Sequence, residues 1–300
     1  MPSRELLAQA DSLRADRKPF VLATVVRAQR PTSAKPGDCA LVLPDGTVSG
    51  FVGGSCAEST VRRQGIRLLG TGRSTLLRIT PEAGARERVE EGVVTVGNPC
   101  LSGGTLEIFL EAQLPPALVV VFGDAPVARA LVSLGRAIGY DVRAAAPGEA
   151  VLPDAAAVIV ASHGRDEEPA LRAALAADAG YVGLIASRRR GAAVLSALEL
   201  DPGRVHTPAG LDIGAGTPEE IAVSVYAELI ASRRGTGGIA ARPAVPEAAG
   251  HPEAVDPVCG MGVAVTPGAL RLTHGGREYH FCGPGCRQAF AADPARYADE

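Results

Sequence analysis

The sequence predicts an α/β protein with three parts: a mixed α/β N-terminal domain, a doubly wound parallel sheet domain, and a small C-terminal metal-binding module. Short β-branched runs separated by turn residues fill the first third of the chain. Continuous apolar runs, each followed by a helical pattern, fill the middle and are typical of parallel strands buried on both faces. Three cysteines lie close together near the C-terminus. The segment that carries them is too short to form a large core without a further stabilising element such as a bound metal.

The composition limits the class of protein. A chain of 300 residues with 46% hydrophobic and 21% charged residues is expected to form two or three soluble domains. The formal net charge of -3 argues against a nucleic-acid partner. No apolar run reaches the ~18 residues of a membrane span, and the N-terminus lacks the apolar centre of a signal peptide. We therefore expect a cytoplasmic protein, whose cysteines serve as ligands or nucleophiles rather than disulfides.

The predicted N-terminal domain covers residues 1–113. A helix is expected over 57–69, where apolar residues recur among charged ones at helical spacing. Apolar, β-branched runs predict strands at 20–28, 40–43, 74–80, 91–97 and 104–112.

The predicted doubly wound domain covers residues 114–234. Its expected strands are 118–122, 140–144, 155–163 and 181–187, and its clearest helices are 126–138 and 218–234. Pro218 suits the first turn of the last helix. Glycine, proline and alanine dominate 235–254, which predicts a flexible linker, and residues 255–300 form the third unit.

Two cysteines of the first domain sit beside paired glycines. In "GFVGGSCAE", Gly53 and Gly54 allow a sharp turn and close approach of a ligand, Ser55 is expected to cap the helix, and Cys56 falls in its first turn. The helix start favours a thiolate at Cys56 and would favour any other anion. In "GNPCLSGG", Cys100 repeats the pattern, although a small buried hydrophobe is an equal interpretation.

The first turn of the doubly wound domain, "GDAPVA", departs from the glycine-rich motif of dinucleotide-binding folds. Gly123 can make the first tight turn, but Ala125 stands at the second glycine position. The second strand is followed by Ala146 and Pro147 where a ribose-binding acid is expected. The pattern supports the fold and argues against NAD.

Further candidate ligands follow later strands of this domain. Ser187, Arg188 and Arg189 come after the strand "YVGLIA", at the edge where open α/β sheets bind ligands, and could hold a phosphate. A solvated basic turn is the alternative. Asp212 lies in the glycine-rich loop "GLDIGAGTPEE" and could ligate a cation or cap a turn. His163 and His206 are interpreted as structural.

The tail carries the most specific motif. Cys259, Cys282 and Cys286 have the spacing of a small metal module in which two short arms meet. His280 and Met261 are near enough in sequence to be considered for a fourth position. Thiolates suit copper(I), and a mixed sulfur and nitrogen set suits zinc.

These motifs resemble known families. The stretches "RPTSAKPGDCALV", "GGSCAE", "CLSGGTLEIF" and "YVGLIASRRR" resemble the XdhC/CoxI family, whose second half is Rossmann-like, and "DPVCGM" with "YHFC" resembles the YHS domain. XdhC/CoxI proteins are accessory proteins in the maturation of molybdenum hydroxylases. The resemblance implies that Cys56 and Cys100 are the family cysteines and that the ligand is the molybdenum cofactor, a pterin of the molybdopterin type.

The resulting hypothesis is a maturation factor, more an accessory protein than an enzyme. It would hold molybdenum cofactor between the two α/β domains and serve a client molybdenum hydroxylase, with carbon monoxide dehydrogenase as the expected client. A cofactor sulfurase or other maturation factor is a second partner to consider. Association of two copies of the chain into a homodimer is a further alternative. The alternatives are a thiol redox enzyme that binds FAD and a metal sensor or store acting through the tail.

Overall fold

The computed structural model describes residues 4–81, 87–98, 104–234 and 251–298. The helices are α1 (Arg4–Ala15), α2 (Ser55–Thr71), α3 (Pro126–Ala137), α4 (Glu167–Ala176), α5 (Arg188–Ala197), α6 (Pro218–Arg234) and α7 (Pro284–Ala292). The strands are β1 (Phe20–Gln29), β2 (Cys39–Val42), β3 (Val48–Gly50), β4 (Thr75–Thr80), β5 (Arg88–Glu90), β6 (Val93–Gly97), β7 (Thr105–Gln113), β8 (Leu118–Phe122), β9 (Asp141–Ala145), β10 (Ala155–Val160), β11 (Val182–Leu184), β12 (Glu253–Val255), β13 (Gly262–Ala264), β14 (Leu270–His274) and β15 (Arg277–Phe281). The chain divides into two compact units, one formed by residues 1–115 with 244–300 and the other by 116–243.

The first unit contains a seven-stranded mixed sheet with the order β3-β2-β1-β7-β4-β6-β5. β4 and β6 are parallel, and the other neighbours are antiparallel. Alternate residues of β1 enter two different cores: Val21 and Ala23 pack in the core that includes α2, and Phe20 packs with α1. The period of two along the strand therefore places one helix on each face of the sheet.

The second unit contains a four-stranded parallel sheet with the order β11-β10-β8-β9. Along β8, Val119 and Val121 pack with α3 and α6, while Val120 and Phe122 pack with α4 and α5. Both faces are covered, which explains why this strand reads as an unbroken apolar run. The predicted doubly wound parallel sheet is confirmed.

The tail consists of two short hairpins and α7. A cluster of rings forms its small core, with the Phe290 ring centroid 4.7 Å from that of Tyr279 and 5.3 Å from that of Phe281. β13 packs on α2, and Ala264 is buried in the same core as Val61 of that helix. The tail thus belongs to the first compact unit, and β12 begins inside the range predicted as linker, most of which (235–250) lies outside the described residues.

Among the described residues, no helix has both the length and the apolar character needed to cross a membrane.

Candidate functional site

Cys56 occupies the first turn of α2, as predicted. The residue that caps the helix is Gly54, however, and Ser55 is already helical. The expectation that Ser55 caps the helix is therefore wrong, because the turn of the chain falls one residue earlier. A glycine cap has no side chain to accept hydrogen bonds from the first amides, and the partial positive charge of the helix start favours an anion or thiolate there.

The two glycines before Cys56 have different roles. Gly53 has φ +132°, and a Cβ there would lie 3.1 Å from the Cβ of Ala57, so the turn requires glycine at this position. Gly54 has φ -67°, which any residue can adopt, and the space around its Cα is open. Only Gly53 is needed for the turn, and Gly54 leaves room above the helix start.

Four cysteines form a cluster, which we call the thiol cluster: Cys56, Cys259, Cys282 and Cys286. The Cys282 Sγ lies at its centre, 3.5 Å from the Sγ of Cys259, 3.7 Å from that of Cys286 and 3.9 Å from that of Cys56. Met261, Val263 and the buried Cys282 form an apolar patch against which the other three cysteines pack. The structure therefore brings together the two cysteine sites that the sequence places in different domains.

The spacing of the sulfur atoms fits a metal ion. A tetrahedral ion with bonds of about 2.3 Å to four sulfurs separates those sulfurs by about 3.8 Å. The three distances from Cys282 lie close to this edge length. Cys259, Cys282, Cys286 and Asp256 form a group of potential metal ligands whose atoms all lie within 4.8 Å of one another, and Cys56 lies just outside this group, beside Cys282.

Asp256 organises the tail around this cluster. Its side chain is fully buried. One carboxylate oxygen accepts a hydrogen bond from the backbone N–H of Cys282 at 2.8 Å, and the other accepts one from the N–H of Val258 at 2.9 Å. Asp256 thereby joins the hairpin that carries Cys259 to the end of β15, where Cys282 lies.

The tail is held on α2 by polar contacts and by a close approach. Glu253 accepts two hydrogen bonds from the Arg67 guanidinium, at 2.6 and 2.7 Å, and its carboxylate lies 3.5 Å from Arg63. The Nε2 atom of His251 lies 3.0 Å from the carbonyl oxygen of Pro44. A Cβ on Gly283 would lie 2.9 Å from Ser55 Oγ and 3.7 Å from Cys56 Sγ, so this glycine permits the contact between α7 and α2.

The protonation of the cluster follows from its packing. Hydrogen bonds with Cys259 and Cys56, together with burial, raise the pKa of the Cys282 thiol. Burial, followed by the charge of neighbouring groups, raises the pKa of Cys286 to about 12. The hydrogen bond from Cys282 lowers the pKa of Cys259 against the opposing effect of burial. A metal that binds here therefore displaces thiol protons.

Sequence reasoning missed the association of Cys56 with the tail. No spacing or periodicity links residue 56 to residues 259–286, so nothing in the pattern could have indicated it. His280, considered for the fourth position, has its Nε2 atom 3.3 Å from Glu278 and is not part of the ligand group. Cys39 packs between α1 and the sheet. Cys100 lies outside the described residues.

The second unit contains a cavity of about 550 Å³ at the carboxyl ends of its strands. Of the predicted cofactor-binding residues of this unit, Ser187, Arg188 and Asp212 line the cavity, whereas Gly123 and Arg189 do not. Ser187 caps α5 by accepting a hydrogen bond from the N–H of Arg190. The cavity thus combines a helix start with an exposed cation, an arrangement suited to an anionic group.

Gly123 makes the tight turn that the sequence predicts. Its φ is +114°, and a Cβ would lie 2.5 Å from the carbonyl oxygen of Ala161. The glycine is therefore required for the close packing of β8 against the end of β10. Any role in ligand binding stays a prediction.

Two charged groups near the cavity have internal partners. The buried Glu167 pairs with Arg190 and accepts a hydrogen bond from the N–H of Gly164 at 2.9 Å. Arg190 is therefore structural, whereas Arg188 remains available to a ligand in the cavity.

His206 is also structural, as interpreted from the sequence. Its ring stacks on Tyr181, and its Nδ1 atom lies 3.2 Å from the Glu228 carboxylate. Burial acts most strongly on the pKa of Glu228 and would raise it, but hydrogen bonds from Tyr181 and from the N–H of Gly210 outweigh burial and lower the pKa.

Comparison with protein families agrees with the resemblance. Residues 13–80 match the model of the XdhC and CoxI family, residues 119–229 match the XdhC Rossmann domain, and residues 254–300 match the YHS domain. The resemblance inferred from the sequence is confirmed.

Relatives cover the chain to different extents. An uncharacterized protein of Escherichia coli (strain K12), YqeB, is 28% identical over 90% of this chain and 53% of its own length. A Bacillus subtilis (strain 168) protein, named as a probable xanthine dehydrogenase subunit, is 38% identical over 27% of this chain and 24% of its own. A copper-transporting P-type ATPase of Rhizobium leguminosarum bv. viciae is 55% identical over 14% of this chain and 5% of its own. The chain thus spans about half of the first of these relatives and less of the others.

A solved structure, that of a xanthine dehydrogenase from Bacillus halodurans, aligns with 79% of this chain and 98% of its own at 17% identity and a TM-score of 0.39.

Proposed function

Because this chain belongs to the XdhC and CoxI family and carries a YHS domain, we propose that it is a maturation factor for a molybdenum hydroxylase. It would handle the molybdenum cofactor with thiolates, and its tail would hold a metal ion. The observation that carries the proposal is the position of Cys56. This thiol lies at a helix start that no side chain caps, and it packs beside the tail cysteines, with its Sγ 3.9 Å from that of Cys282.

Cys56 is suited to the pterin cofactor by its chemistry. The cofactor combines a thiophilic metal with a phosphate, and the start of α2 offers a thiol and amides that favour an anion. The open space at Gly54 leaves room for a ligand to approach. Cys100, the second family cysteine, would assist from a segment outside the described residues.

The client is proposed from the relatives and the sequence motifs. The name of the Bacillus subtilis relative supports a hydroxylase of the xanthine dehydrogenase kind. The motif "TSAKPGD" with "GGSCAE" favours carbon monoxide dehydrogenase. The relative named as a copper-transporting ATPase supports copper as one candidate for the tail, and zinc is the other. The client and, if present, a cofactor sulfurase would be the partners.

A second candidate function is favoured by the cavity of the second unit. Arg188 and the start of α5 could hold the phosphates of a flavin nucleotide. The chain would then be a thiol redox enzyme in the same pathway, with Cys56 and Cys100 exchanging electrons with the flavin.

The test begins with purification of the full chain, without oxygen, from a host that makes molybdenum cofactor. Mass spectrometry of the released small molecules should detect a pterin, and Cys56→Ala should lose it. Cys39→Ala is the matched control, because this buried thiol packs between α1 and the sheet, and it should retain the pterin.

Other outcomes would replace the proposal. A flavin without a pterin would favour the redox enzyme, and a metal with neither organic ligand would favour the sensor or store. Full pterin content in Cys56→Ala would remove the assignment of this cysteine. Molybdenum content and activity of the hydroxylase in a strain without the chain should both fall if the protein is a maturation factor.

A further inference from the structure

We propose that Cys56 is the fourth protein ligand of a tetrahedral metal site, which it forms together with Cys259, Cys282 and Cys286. The inference goes beyond the proposed function and does not depend on it. Three of the six edges of a four-sulfur tetrahedron, those from Cys282 Sγ at 3.5, 3.7 and 3.9 Å, match the expected ~3.8 Å. Cys56 lies outside the group of ligand atoms that are all within 4.8 Å of one another, so its sulfur would move towards those of Cys259 and Cys286 when a metal binds. Cys56 thus occupies the place of a ligand although it belongs to another domain.

Asp256 is the other candidate for the fourth position. It is less suitable, because each of its carboxylate oxygens already accepts a backbone hydrogen bond, from Val258 and from Cys282. Those hydrogen bonds hold the β12–β13 hairpin against the end of β15. A fourth sulfur also gives a uniform soft ligand set, whereas a carboxylate is a hard ligand.

The charge of four thiolates is balanced by the fold. A divalent ion with four thiolates carries a net charge of about -2. Cys56 is the second residue of α2 and Cys286 the third residue of α7, and both helices are capped by a glycine, Gly54 and Gly283. Two helix N-termini therefore direct their partial positive charge at the cluster. Tetrahedral coordination by four sulfurs favours zinc.

The position of Cys56 is set by contacts that need no metal. Glu253 binds Arg67, Ala264 is buried in the core with α2, and Gly283 lies against Ser55. In the folded tail these contacts place the thiol beside the tail cysteines, so a metal ion bound by all four links the tail to the N-terminal domain. While Cys56 binds this ion it cannot bind the molybdenum cofactor, so the cofactor role proposed above requires a chain in which this metal site is not filled.

The experiment uses the full chain with cobalt(II) as a spectroscopic probe for the zinc site. The intensity of the thiolate-to-cobalt charge-transfer band should indicate four thiolates. In Cys56→Ala it should fall by about a quarter, because one of four thiolates is lost, and Cys39→Ala should keep the native spectrum. An unchanged spectrum in Cys56→Ala would overturn the proposal, since it would leave the fourth position to Asp256 or water.

A second pair of variants keeps all four thiols. Gly283→Val would force the tail away from α2. The Ser55 hydroxyl, 2.9 Å from the new Cβ, can rotate, but the two methyl groups of valine would press on Ser55 Cβ and Cys56 Sγ, which lie 3.5 and 3.7 Å from that Cβ. The φ of -164° is an extended conformation that valine adopts freely. It should reproduce the three-thiolate spectrum of Cys56→Ala. Gly285→Ala is the matched control, because the space around Gly285 is open, and it should keep the native spectrum. A native spectrum in Gly283→Val would count against the proposal.

Alkylation provides a measurement that is independent of the spectrum. Zinc should slow the reaction of Cys56 with iodoacetamide by at least about tenfold, because a ligated thiolate is a poor nucleophile. Equal rates with and without zinc, or uptake of copper(I) by the three tail thiols with no effect on Cys56, would overturn the proposal.

Discussion

The thiol cluster of the first unit and the cavity of the second differ in how the chain assembles them. Cys56 and Cys282 meet although 226 positions separate them. The cavity is lined mainly by two segments, 185–190 and 208–213, that follow the last strand of the sheet. The thiol cluster forms because the tail packs on α2, a helix of the N-terminal domain. The cavity forms where the parallel strands of the second unit end. A site at the carboxyl ends of strands can be anticipated from the strand pattern, but no comparable rule tells where a tail will dock.

The two sites also differ in how their polar groups are satisfied. At the cavity, Arg190 pairs with Glu167 and Ser187 caps its own helix, so these two groups have partners within the protein. In the thiol cluster, the sulfur atoms interact chiefly with one another. A metal ion would supply the missing interactions and much of the folding free energy of so small a module. The first unit should therefore respond to loss of a ligand far more than the second responds to loss of a hydrogen bond.

The largest expected effect is that of Cys282→Ala. This sulfur lies at the centre of the cluster, so its loss should abolish metal binding and expose residues 251–298 to amide hydrogen exchange. Structural metal contributes on the order of 10 kcal/mol in small modules. Metal analysis and exchange mass spectrometry measure the two effects. The second unit should keep its protection, and equal loss in both units would break the comparison.

A smaller effect is expected for Glu167→Gln. The substitution leaves Arg190 without its charged partner and weakens the hydrogen bond from Gly164, so the free energy of unfolding of the second unit should fall by about 2 kcal/mol. Urea unfolding measures it. The control is Glu168→Gln, which removes an exposed pair with Arg172 on the same helix and should cost less than ~0.5 kcal/mol. An equal loss of unfolding free energy in the two variants would show that burial of Glu167 does not strengthen its interactions.

The smallest effect is expected for Tyr181→Phe, and it depends on pH. The Tyr181 hydroxyl donates a hydrogen bond to Glu228 at 2.6 Å and helps to hold the pKa of that carboxyl below its ordinary value of 4.5. The stability from the carboxylate is fully present above pH 4.5 and is lost as the pH falls through the lowered pKa. The variant should therefore be less stable by about 1 kcal/mol at pH 7, with a smaller deficit at pH 3.

The control for this pH dependence is Tyr226→Phe. The Tyr226 hydroxyl donates a hydrogen bond to the carbonyl oxygen of Leu131, which does not titrate. Unfolding in urea at pH 7 and pH 3 should give this variant the same deficit at both values. If the deficit of Tyr181→Phe were also constant, Glu228 would not be the group that carries the effect.

Local physical chemistry determines much of the fold. The run 118–122 is strand β8 over the predicted range, and Pro218 opens α6, because a buried parallel strand and a helix start each have a local signature. The cap of α2 was predicted at Ser55 and lies at Gly54, a shift of one residue that hydrophobic pattern cannot resolve. Ser187 and Arg188, which were predicted at the strand edge, line one cavity there together with Asp212 of the glycine-rich loop.

The sequence by itself determined the α/β class, the parallel winding of the second unit, the helix start at Cys56 and the metal spacing of the tail, because each depends on residues close together in the chain. Only the tertiary structure decided that Cys56 lies against Cys282. That contact results from a long-range fit between surfaces: Glu253 with Arg67, Ala264 with the core under α2, and Gly283 with Ser55. Such a fit depends on shape and charge in three dimensions, which no spacing along the chain records.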